Sequence, residues 1–273
     1  MKKNIGVYLG IAFGWTWACW IGAFVISLTR GSILSTSGTL FETLQNLGKD
    51  SGWIPGVFAL GVYGPLLGYL FSHSHRKEFF PGKVSGFSIV LALCIPLIIM
   101  LPGIILSLAT RVEMDKTKSF GAILLAILVY FISNVITSGT EEFGWRGALY
   151  THLRQKEANF WSASWKGGLI WAVWHYPMMI MLYWEQSPFV MIPSLIGFTA
   201  GIVAMSYITN FVFERSQSIP LLAILHGLSN TAGFVLLLLF PLSPFMILSH
   251  LMAWAVVIYI EKKYKPVLQK VTD

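Results

Sequence analysis

Charged residues are scarce in this sequence. Lys, Arg, Asp and Glu together account for 11% of its 273 residues, whereas a soluble globular domain carries roughly 25%. Apolar residues account for 55%, so most of the protein surface must face something other than water. The scarcity of charge therefore excludes an ordinary soluble domain and favours a membrane protein.

Cysteine and aspartate are rarer still. The two cysteines, Cys19 and Cys94, fall inside apolar runs, where we expect buried free thiols. Two are too few for a disulfide framework or a thiolate metal site. The aspartates Asp50, Asp115 and Asp273 lie in predicted loops or in the C-terminal tail, which excludes an intramembrane aspartyl protease. The sequence also lacks His-Glu-x-x-His, the helical motif of many zinc metallopeptidases.

The excess of positive charge does not indicate nucleic acid as a partner. The formal net charge is +7, but the Lys and Arg residues stand in short segments between apolar runs. Such segments set the orientation of a membrane protein, because those that stay in the cytoplasm are enriched in Lys and Arg. Most of these residues fall on one side when both termini are placed in the cytoplasm. The distribution therefore predicts a multi-pass protein with both termini cytoplasmic.

Eight apolar runs are long enough to cross a membrane, which takes about 20 residues for roughly 30 Å of hydrocarbon. They predict an all-α polytopic membrane protein with a single domain over residues 1–273 and a motif-bearing core at residues 120–260. The predicted spans are Asn4–Leu28, Trp53–Phe71, Gly86–Leu108, Phe120–Ser138, Gly167–Tyr183, Phe189–Phe213, Ile219–Phe240 and Pro244–Ile260.

Three ionisable residues follow the fourth apolar run. An ionisable side chain in a membrane span costs roughly 2.5–3.5 kcal/mol, so it marks a functional site. Glu141, Glu142 and Arg146 stand together in apolar sequence. On a helix, Glu142 and Arg146 can form an ion pair one turn apart, and Glu141 points about 100° away from that pair. The spacing predicts a supporting pair, Glu142 and Arg146, beside a catalytic Glu141.

Two histidines lie inside later spans. His175 stands eight residues after Gly167, and His226 stands seven residues after Ile219. Both are therefore expected about 10–12 Å inside the cytoplasmic boundary, where side chains from two helices can meet. Asn230 lies one turn after His226 and projects from the same face. It either orients His226 or donates a hydrogen bond to a substrate oxygen.

These side chains form a set suited to hydrolysis. A buried carboxylate can take a proton from water, and a histidine can share that task. A second histidine and an asparagine amide can hold a developing oxyanion. Glu141, His175 and His226 are also a plausible zinc site. We favour a metal-free site without a cofactor, because Asn230 is a poor zinc ligand and stands where a hydrogen-bond donor is useful. His250 lies apart from the set and is expected to serve packing.

The set resembles the motifs of the CPBP family, also called ABI, which comprises the type II CAAX prenyl endopeptidases and their bacterial relatives. That family shows Glu-Glu-x-x-x-Arg, Phe-x-x-x-His and His-x-x-x-Asn or Asp on successive helices. The corresponding segments here are Glu141–Arg146, Trp171–His175 and His226–Asn230. Trp171 replaces the phenylalanine of the second motif, a swap between bulky aromatics that puts little of the resemblance in doubt. Three motifs in the same order at transmembrane positions make the resemblance specific.

The resemblance implies both a fold and an activity. It implies eight helices around a conical cavity that opens to the cytoplasm. It implies that Glu141 and His175 activate water and that His226 and Asn230 form the oxyanion site. It further implies an endopeptidase in a prokaryotic plasma membrane that cuts near the C-terminus of a membrane-associated protein or peptide, which for some members is a prenylated CAAX-type tail.

Two other classes of membrane protein can carry the same residues. A proton- or ion-coupled transporter can use buried Glu and His side chains as a relay, although such transporters often show internal repeats and this sequence shows none. A non-catalytic regulator or immunity protein is the other alternative. Such family members tend to lose motif residues, whereas this chain retains them all. A peptidase acting on a membrane-bound peptide substrate is therefore the favoured interpretation.

Overall fold

The structure is a computed structural model that describes residues 4–31, 52–72, 83–157 and 159–264. These residues form helices and turns, and none of them lies in a β-strand, which confirms the prediction of an all-α polytopic protein. The α-helices are α1 (Ile5–Thr29), α2 (Trp53–Gly61), α3 (Gly64–Ser72), α4 (Gly86–Ala109), α5 (Phe120–Ile136), α6 (Glu141–Gly144), α7 (Thr151–Lys156), α8 (Phe160–Leu182), α9 (Pro188–Ser216), α10 (Ile219–Leu239) and α11 (Ile247–Tyr264).

Shorter segments join some of these helices. A 3₁₀ turn, Ser138–Thr140, leads from α5 into α6, and a π-helical segment, Trp145–Tyr150, joins α6 to α7. A second 3₁₀ turn, Pro244–Met246, precedes α11. π-Helical turns inside helices are frequent at functional sites, and this one directly follows the two glutamates that the sequence singles out.

The eight predicted spans all correspond to helices, but not all of them meet a length and hydropathy criterion for crossing a membrane. Six helical stretches meet it, or seven when α2 and α3, which meet at a bend of 48°, count as one span. Helix α8 is not among them, because Lys166, His175 and several tryptophans lower its hydropathy. The cytoplasmic placement of the termini stays a prediction. Several of the Lys and Arg residues that predict it lie outside those described, namely Lys2, Lys3, Lys49, Arg76, Lys77, Lys265 and Lys270.

Helix α8 begins at Phe160, well before the predicted Gly167. Asn159 caps it, because its side chain accepts a hydrogen bond from a backbone N–H two residues later at 2.8 Å, as N-cap asparagines do. Glu157, in the turn before the helix, accepts a hydrogen bond from Nζ of Lys166 at 2.5 Å. That hydrogen bond lowers the pKa of the Glu157 carboxyl. The turn is thereby tied to the helix that carries His175.

Glycines let α3 approach both α1 and α6. A Cβ added at Gly64 would lie 2.5 Å from the carbonyl oxygen of Ala12, and one added at Gly144 would lie 2.6 Å from that of Pro65. Neither distance leaves room for a side chain, and small residues commonly permit such close helix contacts in membranes. The short helix that carries both glutamates is therefore fixed directly against α3.

The two cysteines are free, but their burial differs from the prediction. Cys19 is partly buried and Cys94 is exposed on α4, so the expectation of burial is wrong for Cys94. A membrane protein presents apolar side chains to lipid as well as to its own interior, and a thiol behaves as a small apolar group. An apolar run therefore does not reveal which of its residues face inward.

Candidate active site

A cavity of about 1270 Å³ lies among the helices, and its wall is largely apolar and aromatic. Glu141, His175, His226 and Asn230 all line it, although they come from α6, α8 and α10. The structure therefore brings together the four residues that the sequence selects for chemistry.

Glu141 is 3% exposed and is held by two tryptophans. Its Oε2 accepts hydrogen bonds from Nε1 of Trp145 at 3.0 Å and from Nε1 of Trp171 at 3.1 Å. Trp145 follows Glu141 by four residues, so this contact arises from local helical spacing, whereas Trp171 reaches across from α8. Within the described part of the chain, Oε1 accepts no hydrogen bond. One carboxylate oxygen is thus anchored and the other is left to the cavity.

Glu142 and Arg146 lie behind the cavity wall and are 0% and 1% exposed. Nη1 of Arg146 lies 3.0 Å from Oε2 of Glu142 and donates a hydrogen bond to its Oε1 at 3.2 Å, so the predicted ion pair is confirmed. The sequence does not reveal that Oε1 also binds Nδ1 of His226 at 2.8 Å. The Glu142 carboxylate therefore links the buried guanidinium to a residue of the cavity wall.

The rest of the Arg146 guanidinium is also bonded. Its Nε donates to Oδ1 of Asn210 at 3.2 Å, and its Nη2 donates to the hydroxyl of Thr209. Its Cζ lies 4.7 Å from the ring centroid of Trp171, a distance at which a cation and an aromatic face attract each other. Sequence reasoning missed these roles of Thr209 and Asn210. The one indication of them in the sequence is that two adjacent polar residues stand inside an otherwise apolar helix.

The hydrogen bond of His175 defines its tautomer. Nδ1 lies 2.9 Å from the backbone carbonyl oxygen of Trp171. A carbonyl only accepts, so Nδ1 carries the hydrogen, and Nε2 of the neutral ring keeps a free lone pair. Trp174 and Phe198 pack against the imidazole at ring-centroid distances of 4.6 and 5.3 Å and restrict its rotation. His175 therefore offers a fixed proton acceptor at the cavity wall.

His226 is oriented in a similar way. Glu142 forms a salt bridge with Arg146, and a carboxylate in such a pair accepts hydrogen bonds, so Nδ1 of His226 donates to it. Nε2 is then the ring nitrogen that remains for the cavity. It donates a hydrogen bond when the ring is protonated and accepts one when the ring is neutral.

Asn230 bonds to Asn134 and not to His226, which is one of the two partners that the sequence suggests for it. Its Nδ2 donates to Oδ1 of Asn134 at 2.9 Å, and Asn134 in turn donates to the carbonyl oxygen of Tyr130 at 2.9 Å. No hydrogen bond joins Asn230 to His226 within the described residues, so the suggestion that Asn230 orients His226 is wrong. Glu142 already occupies Nδ1 of that ring. The amide of Asn230 keeps one N–H for another partner.

Trp171 stands at the centre of the site. Its ring centroid lies 5.9 Å from that of His175 and 5.5 Å from that of His226, and its indole N–H binds Glu141. The tryptophan at this motif position adds a hydrogen bond that the phenylalanine of the family motif could not make, because phenylalanine has no N–H group to donate to Glu141.

The possible metal ligands do not form a group as their side chains stand in the structure. Among the residues that the structure describes, no three His, Cys, Asp or Glu side chains form a group that could hold a metal ion. A zinc ligand set must converge within about 2 Å of one point. Within the described residues, the hydrogen bonds at Oε2 of Glu141 and at Nδ1 of both histidines leave Oε1 and the two Nε2 atoms unbonded. The choice between a metal-free site and the zinc set of Glu141, His175 and His226 therefore stays a prediction.

A comparison with known families places part of this chain beside a family of peptidases. Residues 121–232 match the family model described as type II CAAX prenyl endopeptidase Rce1-like. The matched segment contains all six residues that the sequence selects. The match confirms the resemblance to CPBP intramembrane peptidases and supports a CAAX-type intramembrane endopeptidase in general terms. A comparison with curated proteins finds no match.

Proposed function

We propose that this chain, in which residues 121–232 match the Rce1-like endopeptidase model, hydrolyses a peptide bond near the C-terminus of a membrane-associated protein or peptide. The cavity of about 1270 Å³, lined by Glu141, His175, His226 and Asn230, carries the proposal. Small-molecule pockets usually measure about 300–1,000 Å³, so this cavity has room for an extended peptide segment. Its largely apolar wall suits a substrate that comes from the membrane.

Glu141 is the general base of the proposed reaction. Its Oε1 takes a proton from a water molecule while the water oxygen forms a bond to the scissile carbonyl carbon. When the tetrahedral intermediate collapses, the C–N bond breaks and the proton moves from Glu141 to the leaving nitrogen. One water is consumed, and the products are a new carboxyl terminus and a new amine. The indole hydrogen bonds on Oε2 keep the carboxylate oriented throughout.

His175 positions the water in this scheme. Because Nδ1 is committed to a backbone carbonyl, the lone pair on Nε2 can accept a hydrogen bond from the second water hydrogen. Two acceptors on one water direct an oxygen lone pair towards the substrate, which supplies orientation as well as a base. Glu141 and His175 thus divide proton removal and alignment between them.

His226 and Asn230 stabilise the oxyanion of the tetrahedral intermediate. A protonated His226 donates through Nε2, while its Nδ1 remains bonded to Glu142. The free N–H of the Asn230 amide is a second donor, held in place by Asn134. Donors fixed in advance in a site with little water are effective, because they need no reorganisation as the charge develops.

The proposed function is tested with purified protein in liposomes and a panel of synthetic peptides. The panel contains peptides with CAAX termini, farnesylated and unmodified, and matched peptides with scrambled termini. We expect cleavage near the CAAX terminus, with heavy oxygen from labelled water entering one product carboxylate. A folded protein that cleaves no peptide of the panel but moves protons or ions across the liposome membrane would contradict the proposal and favour a transporter.

Trp171→Phe is expected to lower turnover by about tenfold, since a hydrogen bond to a charged group contributes roughly 1.5–3 kcal/mol. The variant keeps the aromatic ring between the histidines and removes only the N–H that binds Glu141. Trp161→Phe, on the same helix and 36% exposed, is the matched control. The measurement is kcat with the best peptide. Equal kcat in both variants would show that this hydrogen bond does not matter for the reaction.

Asn230→Ala is expected to lower kcat by on the order of 10²–10³, the loss that follows removal of one oxyanion donor. Ser229→Ala is the control, because Ser229 also lines the cavity and its hydroxyl donates to the carbonyl of Leu225 at 2.9 Å. That variant should keep its activity. Loss of activity in Ser229→Ala with retention in Asn230→Ala would point to a serine nucleophile instead.

Elemental analysis tests the metal-free proposal directly. We expect active protein to contain zinc at far below one ion per chain, and His175→Ala and His226→Ala to leave that content unchanged. Zinc at one ion per active chain, lost in both variants, would overturn the role of Glu141 as a metal-free general base. It would leave the peptidase assignment intact.

A further inference from the structure

His250 stands in the wall of the same cavity, on α11. It lies outside the matched segment 121–232, and sequence reasoning assigns it to packing. The imidazole lies against α9 at Gly201, where an added Cβ would be 2.7 Å from Nε2. The absence of a side chain at Gly201 therefore makes the space that the imidazole occupies.

The hydrogen-bonding capacity of His250 is largely unused. Its Nδ1 lies 3.5 Å from Oγ of Ser249, which is long for a hydrogen bond. That hydroxyl already donates to the carbonyl oxygen of Met246 at 2.6 Å. Within the described part of the chain, Nε2 has no hydrogen-bond partner. His250 is thus a polar group at the cavity wall that is not needed to satisfy its neighbours.

The cavity otherwise offers little to balance a negative charge. None of the described residues that line it is a lysine or an arginine, and Glu141 adds a carboxylate. Nδ1 of both His175 and His226 is engaged in a hydrogen bond, and the proposed reaction uses the Nε2 atoms. A substrate carboxylate in this apolar space would be costly to bury unless a donor met it.

We propose that His250 binds the C-terminal carboxylate of the substrate and so restricts cleavage to bonds close to a free chain end. This inference rests on the proposed peptidase function and adds a determinant of specificity to it. The imidazole donates a hydrogen bond through its Nε2–H to the ionised carboxylate, and hydrogen bonds to an ionised acceptor are about twice as strong as neutral ones. His250 takes no part in water activation.

The spacing along α9 agrees with this role. Gly201, Met205 and Thr209 recur every four residues and all line the cavity. A rise of about 1.5 Å per residue separates the first from the last by about 12 Å. Thr209 contacts Arg146 beside the hydrolytic residues, and His250 contacts Gly201. In a CAAX sequence three residues follow the prenylated cysteine, and three extended residues span about 10 Å.

The test compares one peptide in two forms, with a free C-terminal carboxylate and with a C-terminal amide. We expect the wild-type protein to favour the carboxylate form by about tenfold or more in kcat/KM, as for a hydrogen bond to a charged group. His250→Leu should reduce that preference to about one, mainly through a higher KM for the carboxylate form. It should leave cleavage of the amide form nearly unchanged, which a general structural defect would not do.

Two further variants serve as controls for the effect of His250→Leu. Ser249→Ala also changes a residue of the cavity wall but should keep the wild-type preference. Gly201→Ala keeps the imidazole and displaces it with the added methyl group, so it should weaken the preference even if His250→Leu does not fold. A wild-type protein that cleaves both forms equally, or a His250→Leu protein that keeps the preference, would overturn the inference and leave the peptidase function standing. A wild-type protein that cleaves neither form would overturn both.

Discussion

Glu141→Gln is expected to abolish detectable peptide hydrolysis while the protein keeps its fold. General acid–base catalysis contributes about 10²–10⁴ to a rate, and Glu141 is the cavity carboxylate that supplies it in our proposal. Glutamine has nearly the same shape, and its amide oxygen can still accept the hydrogen bonds from Trp145 and Trp171. It cannot take a proton from water. The substitution therefore separates proton transfer from the packing of the side chain.

The measurement is single-turnover hydrolysis of the best peptide, together with binding of that peptide. Binding should change little, because the substitution keeps the shape of the cavity and removes only one charge. Glu185→Gln is the matched control, since Glu185 is exposed between α8 and α9 and lies away from the described cavity wall. A Glu141→Gln protein that hydrolyses peptide at the wild-type rate would remove Glu141 from the mechanism.

The positions of the spans could be predicted from the sequence because apolar length is a local property. The predicted run Gly86–Leu108 agrees with α4 at Gly86–Ala109 to within one residue. The start of α8 could not be predicted from apolar length, because the cap at Asn159 sets the helix end and the apolar run begins later. The expected depth of His175 takes Gly167 as the helix start, seven residues after Phe160, whereas that of His226 takes Ile219, where α10 does begin. Both residues nonetheless line the cavity, because helix packing sets their meeting point.

The contacts of the site also divide into local ones, within a single helix, and ones that depend on how the helices pack. The pair between Glu142 and Arg146 could be predicted, since both residues lie on one helical turn. The bond from Glu142 to His226 crosses between helices, as does the bond from Asn230 to Asn134. Spacing along one chain does not specify which helices face each other. A polar residue in an apolar run therefore indicates that a partner exists but not which residue it is.

Arg146→Ala is expected to lower the stability of the protein by about 3–5 kcal/mol, the usual cost of removing one partner of a buried ion pair. The guanidinium is 1% exposed and binds Glu142, Thr209 and Asn210. Its removal leaves the Glu142 carboxylate, which is fully buried, with His226 as its remaining partner. Activity should fall as well, because Glu142 then no longer holds His226 in a defined position.

The measurement for Arg146 is the thermal unfolding midpoint in one detergent, where the expected loss is on the order of 10 °C. Arg111→Ala, at an exposed position between α4 and α5, is the control and should leave the midpoint unchanged. Arg146→Lys should fall between the wild type and Arg146→Ala, because lysine keeps the charge but cannot bind three partners through a planar fork. An Arg146→Ala midpoint equal to that of the wild type would show that the guanidinium gives no net stabilisation. The proposed role of Arg146 as a support for Glu142, and through it for His226, would then fail.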